Sequence, residues 1–384
     1  MIQSSDSELP LPVLIPMVPE PSEWIHLLEK SYEANTFTNN GPLAVIAEDS
    51  INDYLGPGID SMVCSSNTAG LIASLIALDL IGKNVIVSNN TFVATLNALI
   101  AAGCTPILAD VNPKTWEIDV ENVASITAST KVDGLLFTRV HGFRRDITQL
   151  IDFCEKSSIK VLVDSAAAFP AIQSEYKEPL NYLEVFSFHA TKPLGIGEGG
   201  AVIGPINLIT KVRKASNFGL VKPSSNFSDG INAKLDEFAC ARLIAGISKF
   251  PNVVIERVKF AESIKNLFER SPTIERAIRP GATSWPFFPI KFPTEKDLMS
   301  FQKDLSAVVQ TRRYYYPSLS KGYLGKVELK NVTELRCSEE IANTTLCLPV
   351  IPTIKKKHRE LYFNHLSQCI ERFLSINNEG EKHD

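Results

Sequence analysis

Between residues 61 and 204 the chain alternates short, mostly apolar runs with longer helical ones. No other feature limits the fold so much. The apolar runs at 61–64, 84–88, 106–111, 132–139, 159–164, 185–188 and 201–204 are too short for helices and too apolar for strands with one wet face. Runs of this kind are strands buried on both sides. Helical stretches are expected at 42–55, 68–81, 92–102 and 147–157, the first opened by Pro42 behind an Asn-Asn-Gly turn. The pattern predicts an α/β fold, a mostly parallel sheet with helices on both faces. After about Pro251 the texture changes. Val254, Val258, Ala261, Ile264 and Phe268 fall on one helical stripe, strand-like pieces follow at 287–292 and 345–348, and a last helix is expected at 354–375. The expected division is a large domain over 1–250, N-terminal arm included, and a smaller α+β domain over 251–384.

Composition removes several function classes. The formal net charge of −4 gives no general attraction to nucleic acid or to an anionic membrane. The seven cysteines are an odd number, far apart and without a C-x-x-C pair, which predicts reduced, buried thiols and a cytoplasmic protein. The six histidines have no metal-ligand spacing, so no metal is expected. The first residues read neither as a signal peptide nor as a membrane span.

Gly195, Gly197 and Gly200 fit G-x-G-x-x-G. A dinucleotide loop needs a helix after it, whereas Ala201-Val202-Ile203-Gly204 reads as a strand, and no acid follows at the distance a ribose requires. Lys192, just before these glycines, is more informative. A lysine in a small-residue loop past a buried strand can lose solvent and serve Schiff-base chemistry, although alone it reads first as a solvated loop lysine. Asp164 closes an apolar run, at the sheet edge where α/β folds bind ligands; alone it is a turn acid. Ser66-Asn67-Thr68 opens a helix and suits a phosphate; alone it is an N-cap. A phosphate cup, an acid for a ring nitrogen and an amine, in that chain order, match a pyridoxal phosphate enzyme. Arg312 and Arg313 suit a diphosphate, and Tyr314, Tyr315 and Tyr316 suit a sugar or base, against the plain alternative of a surface loop with packing aromatics.

Phe188-His189-Ala190-Thr191-Lys192 with Gly197-Glu198-Gly199-Gly200 resembles the signature of the DegT/DnrJ/StrS family of sugar-nucleotide aminotransferases. The stretches 91–95, 102–106 and 230–237 resemble it as well. The resemblance implies a fold type I, aspartate aminotransferase-like architecture and a homodimer with shared sites. It implies that Lys192 holds pyridoxal 5′-phosphate, Asp164 pairs with the ring nitrogen, and Phe92 stacks on the ring. Asn67, Thr68 and Ser187 would hold the phosphate, Asn232 would reach the phosphate of the neighbouring subunit's cofactor, and Lys234 would supply a positive group near the sugar. His189 is expected to pack beneath the cofactor loop.

The chain departs from the family at Asn67 and Pro170, where glycine is usual. It departs again at Ala167, where Gln or His often contacts the ring hydroxyl. The implied reaction moves an amino group from L-glutamate to a nucleotide-linked 4-keto-6-deoxy sugar, dTDP-4-keto-6-deoxy-D-glucose, in O-antigen synthesis. Relatives acting on 3-keto sugars tend to carry His-Tyr-Pro where this chain has Tyr315-Tyr316-Pro317. The alternatives are a 3-keto, UDP- or GDP-sugar substrate, or a non-catalytic binding protein of the same fold.

Overall fold

The computed structural model describes residues 9–176, 178–220, 226–269, 271, 273–276 and 283–380. Eleven strands are described: β1 (Asp60–Cys64), β2 (Asn84–Ser88), β3 (Thr105–Ala109), β4 (Gly134–Thr138), β5 (Lys160–Ser165), β6 (Leu183–Ser187), β7 (Gly200–Gly204), β8 (Glu275–Arg276), β9 (Phe288–Lys291), β10 (Lys330–Asn331) and β11 (Thr345–Leu348). The main sheet runs β1-β7-β6-β5-β4-β2-β3-β10, and β7 alone is antiparallel to its neighbours. Each of the seven apolar runs of the sequence is one of its strands.

The apolar runs are explained by burial on two faces. Val85 and Val87 of β2 enter one core and Ile86 the other; Leu162 of β5 enters the first, Val161 and Val163 the second. Strand side chains alternate, so a strand covered on both faces has no position for water. The first core lies under the helices Asn67–Ala77 and Ile206–Ser216, the second under Val120–Thr127 and Thr148–Lys156. Two of these helices, Val120–Thr127 and Ile206–Ser216, are absent from the sequence reading. Asp119 caps the first with a capping box to Asn122, a signal within the sequence. The expected helix at 68–81 stops at Ala77, because Asp79 takes a positive φ of 54°.

A separate sheet, β11-β9-β8, builds its own core from Phe288, Ile290, Leu346, Leu348, Phe260 and the last helix, Lys356–Gly380. The change of texture at Pro251 falls inside one continuous helix, Glu237–Leu267. That helix is long and apolar enough to cross a membrane by length and composition alone, yet half of its most apolar window is buried in the protein, where it packs against Pro42–Leu55. Six of the seven cysteines are buried and Cys337 is half-buried; all are free thiols.

One charged network is buried. Glu184 on β6 accepts from Arg144 Nη1 at 2.7 Å, from Arg139 Nε at 3.3 Å, from Tyr176 OH at 2.7 Å and from Ser165 Oγ. Burial pushes the Glu184 carboxyl up, but Arg144 and Arg139 together outweigh it and bring it down to about 2. A folded-state pKa below the unfolded one gives stability that is present above the ordinary carboxylate range and lost as pH falls through it. Glu184→Gln is therefore expected to cost about 3–5 kcal/mol at pH 7, by taking the Glu184 charge from the buried Arg139 guanidinium and leaving Arg144 to its pair with Glu175. Denaturant unfolding of both proteins across pH checks this. The gap should narrow below about pH 4.5 and close near pH 2, the interval between the ordinary and the folded pKa.

Candidate active site

The carboxyl ends of β1, β2, β4, β5 and β6 point to one edge of the main sheet, and a cavity of about 440 Å³ opens there. Right after β1 the chain turns into the helix Asn67–Ala77. Ser66 caps it, its Oγ accepting from the Ala69 N–H at 3.1 Å. Gly70 lets this helix lie close to the sheet: a Cβ there would stand 2.8 Å from Val185 Cγ1 and 2.9 Å from Cys64 Sγ. The positive end of the helix dipole is thereby set at the cavity, where Thr68 and Ser187 also line the wall.

Asp164 ends β5 on the same wall, buried. Thr95 Oγ1 donates to its Oδ2 at 2.7 Å; Asn67 Nδ2 and the Ala166 N–H both donate to its Oδ1 at 3.1 Å. Burial raises its pKa, against the pull of those three donors and of the Lys192 charge. Thr95 also shares a hydrogen bond with Thr91 at 2.9 Å, and Thr91 with Thr138 at 3.0 Å, so a row of three hydroxyls leads to the carboxylate. The sequence reading assigned no role to these threonines.

Lys192 lines the cavity too. The glycines after it fold its loop back on itself: Ala190 N–H donates to Gly197 O at 2.7 Å and Ile196 N–H to Phe188 O at 2.9 Å. Gly197 needs its φ of +111°, and a Cβ on Gly195 would come within 2.7 Å of Ala190 O. The glycines therefore shape the lysine loop rather than bind a pyrophosphate. Burial lowers the Lys192 pKa, and the Asp164 charge partly restores it. The amine and the carboxylate share one cavity and sense each other's charge.

The remaining expectations divide. Phe92 lines the cavity half-exposed, its ring centroid 6.4 Å from that of Tyr315. Arg312, Tyr314 and Tyr315 line it as well, and Tyr315 stacks on His141 at 5.4 Å. Tyr316 does not: it lies beneath the Arg313 guanidinium, 3.5 Å from the ring centroid, and Arg313 is held by Glu295 and Asn343 O outside the cavity. Asn232 and Lys234 are also outside the cavity. Asn232 forms a bridge with Asn217, while Lys234 donates to Asn217 Oδ1 at 3.0 Å and caps the Phe218 ring. His189 lines the cavity wall and bridges Gly197 of the lysine loop, with Nδ1 2.8 Å from Thr191 Oγ1. The sequence reading missed Leu14, brought to the cavity by the pairing of Leu11 with Val309, and Phe287.

Residues 20–364 match the DegT/DnrJ/EryC1/StrS aminotransferase family. The chain belongs to that family. A dTDP-4-amino-4,6-dideoxy-D-glucose transaminase of Shigella dysenteriae is 28% identical over 96% of this chain and 100% of its own length. One from Escherichia coli is 26% identical over 90% of this chain and 95% of its own. Among solved structures, DesI in the presence of its TDP-sugar product superposes with a TM-score of 0.83 at 25% identity, covering 98% of this chain and 96% of that one. A putative PLP-dependent aminotransferase from Bacillus cereus superposes with a TM-score of 0.84 at 24% identity, over 93% and 100%.

As a DegT/DnrJ/EryC1/StrS aminotransferase, the protein uses pyridoxal 5′-phosphate. Its residues fit that group. A buried carboxylate with an open lone pair, a desolvated amine, a capped helix start and a half-exposed aromatic face line one cavity. Gly200 keeps the corner at the helix start tight, since a Cβ on it would meet Asn67 N at 2.8 Å and Ser66 C at 2.9 Å. Ala167 lines the wall where a Gln or His was expected, and it offers the ring hydroxyl no side-chain donor.

Proposed function

We propose that this aminotransferase moves the amino group of L-glutamate to a dTDP-linked 4-keto-6-deoxyhexose, giving the 4-amino-4,6-dideoxy sugar nucleotide used in O-antigen synthesis. The observation that carries this reading is the single cavity lined by Lys192, Asp164, Arg312 and Tyr315, in a chain alignable end to end with a dTDP-4-amino-4,6-dideoxy-D-glucose transaminase.

The residues divide the work. Thr68, Ser187 and the start of the helix Asn67–Ala77 hold the phosphate by hydroxyl and backbone donors. Phe92 covers the ring face. When bound, pyridoxal phosphate supplies an electron sink for the charge left at the donor's α-carbon. Lys192 holds the aldehyde carbon, and its freed amine carries the proton to and from the donor's α-carbon; burial favours the neutral amine this needs. Asp164 keeps the ring nitrogen protonated. Arg312 receives the sugar nucleotide's diphosphate, and Tyr314 and Tyr315 pack against the sugar.

Asn232 and Lys234 act in the neighbouring subunit of a homodimer. The segment that carries them exposes Phe218, Leu220 and Phe227, an apolar surface suited to burial against a second copy. The division into residues 1–250 and 251–384 is supported by the separate sheet β11-β9-β8, all of it beyond residue 251, while β10 returns to the main sheet; the cytoplasm is the expected compartment for the free thiols.

Loaded protein is expected to absorb near about 410–430 nm, from the imine conjugated with the ring, and to lose that band on addition of L-glutamate. The product form, mixed with a panel of keto-sugar nucleotides, should regain the band with dTDP-4-keto-6-deoxy-D-glucose about tenfold faster, or more, than with 3-keto, UDP- or GDP-linked sugars, the discrimination of roughly one well-placed polar contact. A faster return with a 3-keto or UDP-linked sugar would replace this substrate with that one.

A further inference from the structure

We infer that the Asn67 side chain positions Asp164, fixing which carboxylate oxygen meets the ring nitrogen, and is not itself a ligand of the cofactor's phosphate. The inference rests on the ring-nitrogen role proposed for Asp164.

The hydrogen-bond inventory of the amide decides the matter. Asn67 is buried, and both hydrogens of Nδ2 are engaged: one on Asp164 Oδ1 at 3.1 Å, the other on the Val185 carbonyl at 3.2 Å. The opposite amide orientation is excluded, because it would press a carbonyl oxygen against a carboxylate and a carbonyl, two acceptors. No side-chain N–H is left for a phosphate. The only other polar atom of the side chain is an oxygen, which a phosphate dianion repels. Phosphate binding in this corner falls to Thr68, Ser187 and backbone N–H groups.

The donors on Asp164 are unevenly shared. Oδ1 accepts from Asn67 and from the Ala166 N–H, whereas among the described residues Oδ2 accepts only from Thr95. A carboxylate oxygen offers two lone pairs in its plane, so Oδ1 is saturated and Oδ2 keeps one open. Oδ2 is therefore the oxygen that takes the ring N–H. Through Val185 the amide also ties β6 to the carboxylate at the end of β5, so the side chain of Asp164 cannot rotate without breaking a contact to each neighbour. Glycine, expected at this position from the family resemblance, has no donor to do this.

The test is Asn67→Gly, with Asn67→Ser, which keeps one donor, as the second variant. Two readouts are needed: dissociation constants for pyridoxal phosphate and for pyridoxal, and the pH titration of the bound ring nitrogen followed by its ¹⁵N resonance. A lost hydrogen bond to a charged group predicts roughly tenfold weaker binding of both compounds and a ring-nitrogen midpoint lower by about one unit in Asn67→Gly. Asn67→Ser should give a midpoint between the two. Weakening confined to pyridoxal phosphate would assign Asn67 to the phosphate and overturn the inference, as would an unchanged midpoint in both variants. A wild-type ring nitrogen unprotonated at pH 7 would instead overturn the role of Asp164 itself.

Discussion

Lys192→Ala is expected to lower kcat by about 10⁴-fold or more, while the protein stays folded and retains cofactor. General acid–base transfer by a placed side chain accounts for roughly 10²–10⁴ of a rate, and loss of the covalent hold on the aldehyde carbon adds to this. The fold should survive because the lysine loop is held by backbone bonds, such as Ala190 N–H to Gly197 O and Phe188 N–H to Gly199 O, in which the lysine side chain has no part. The pH profile of the wild type should carry the same signature. Protonated Lys192 is inactive and burial lowers its pKa, so activity should rise with pH through a midpoint below the ordinary lysine range. Steady-state transamination, thermal unfolding and the visible spectrum check the three parts together. Turnover within tenfold of wild type would remove Lys192 from the chemistry. An unfolded variant is answered by Lys192→Arg, which keeps length and charge but has no neutral amine to offer.

What could be read from the sequence follows from how locally each feature is determined. The seven strand runs were legible because burial on both faces forces nearly every residue to be apolar, and β5 keeps that rule from Val161 to Val163, before Asp164 breaks it. Lys192 was legible because its loop needs glycines that no other purpose explains. Asn67 was only half legible. Its place at a helix start is local, but its side chain is aimed by Val185 of β6 and Asp164 of β5, 118 and 97 residues away. Tyr314, Tyr315 and Tyr316 lie in a loop without periodicity, so nothing in the sequence says which two face the cavity; that depends on where the Arg313–Glu295 pair pins the chain. The row Thr91, Thr95 and Thr138 joins a helix start to the neighbouring β4, and a parallel register cannot be read from either segment alone.

Asp164→Asn is expected to slow both half-reactions by about 10³-fold, roughly 4 kcal/mol in the barrier, while leaving stability equal or higher. The hydrogen bonds say how the amide must sit. Its NH₂ cannot occupy the Oδ1 position, where Asn67 Nδ2 and the Ala166 N–H both arrive as donors. It must take the Oδ2 position, where the Thr95 hydroxyl can rotate to accept. The NH₂ then presents its second hydrogen to the ring nitrogen, which can pair with it only when unprotonated. The substitution thus does more than remove a charge: it selects the ring state that withdraws electrons poorly. Stability moves the other way. Burial raises the folded-state pKa of Asp164, so holding it ionised at neutral pH opposes folding, and a neutral amide relieves that cost. Stopped-flow absorbance with L-glutamate measures the first effect and denaturant unfolding at pH 7 the second. A variant that lost stability in step with rate would mean that Asp164 serves mainly to hold the sheet edge together, not the ring.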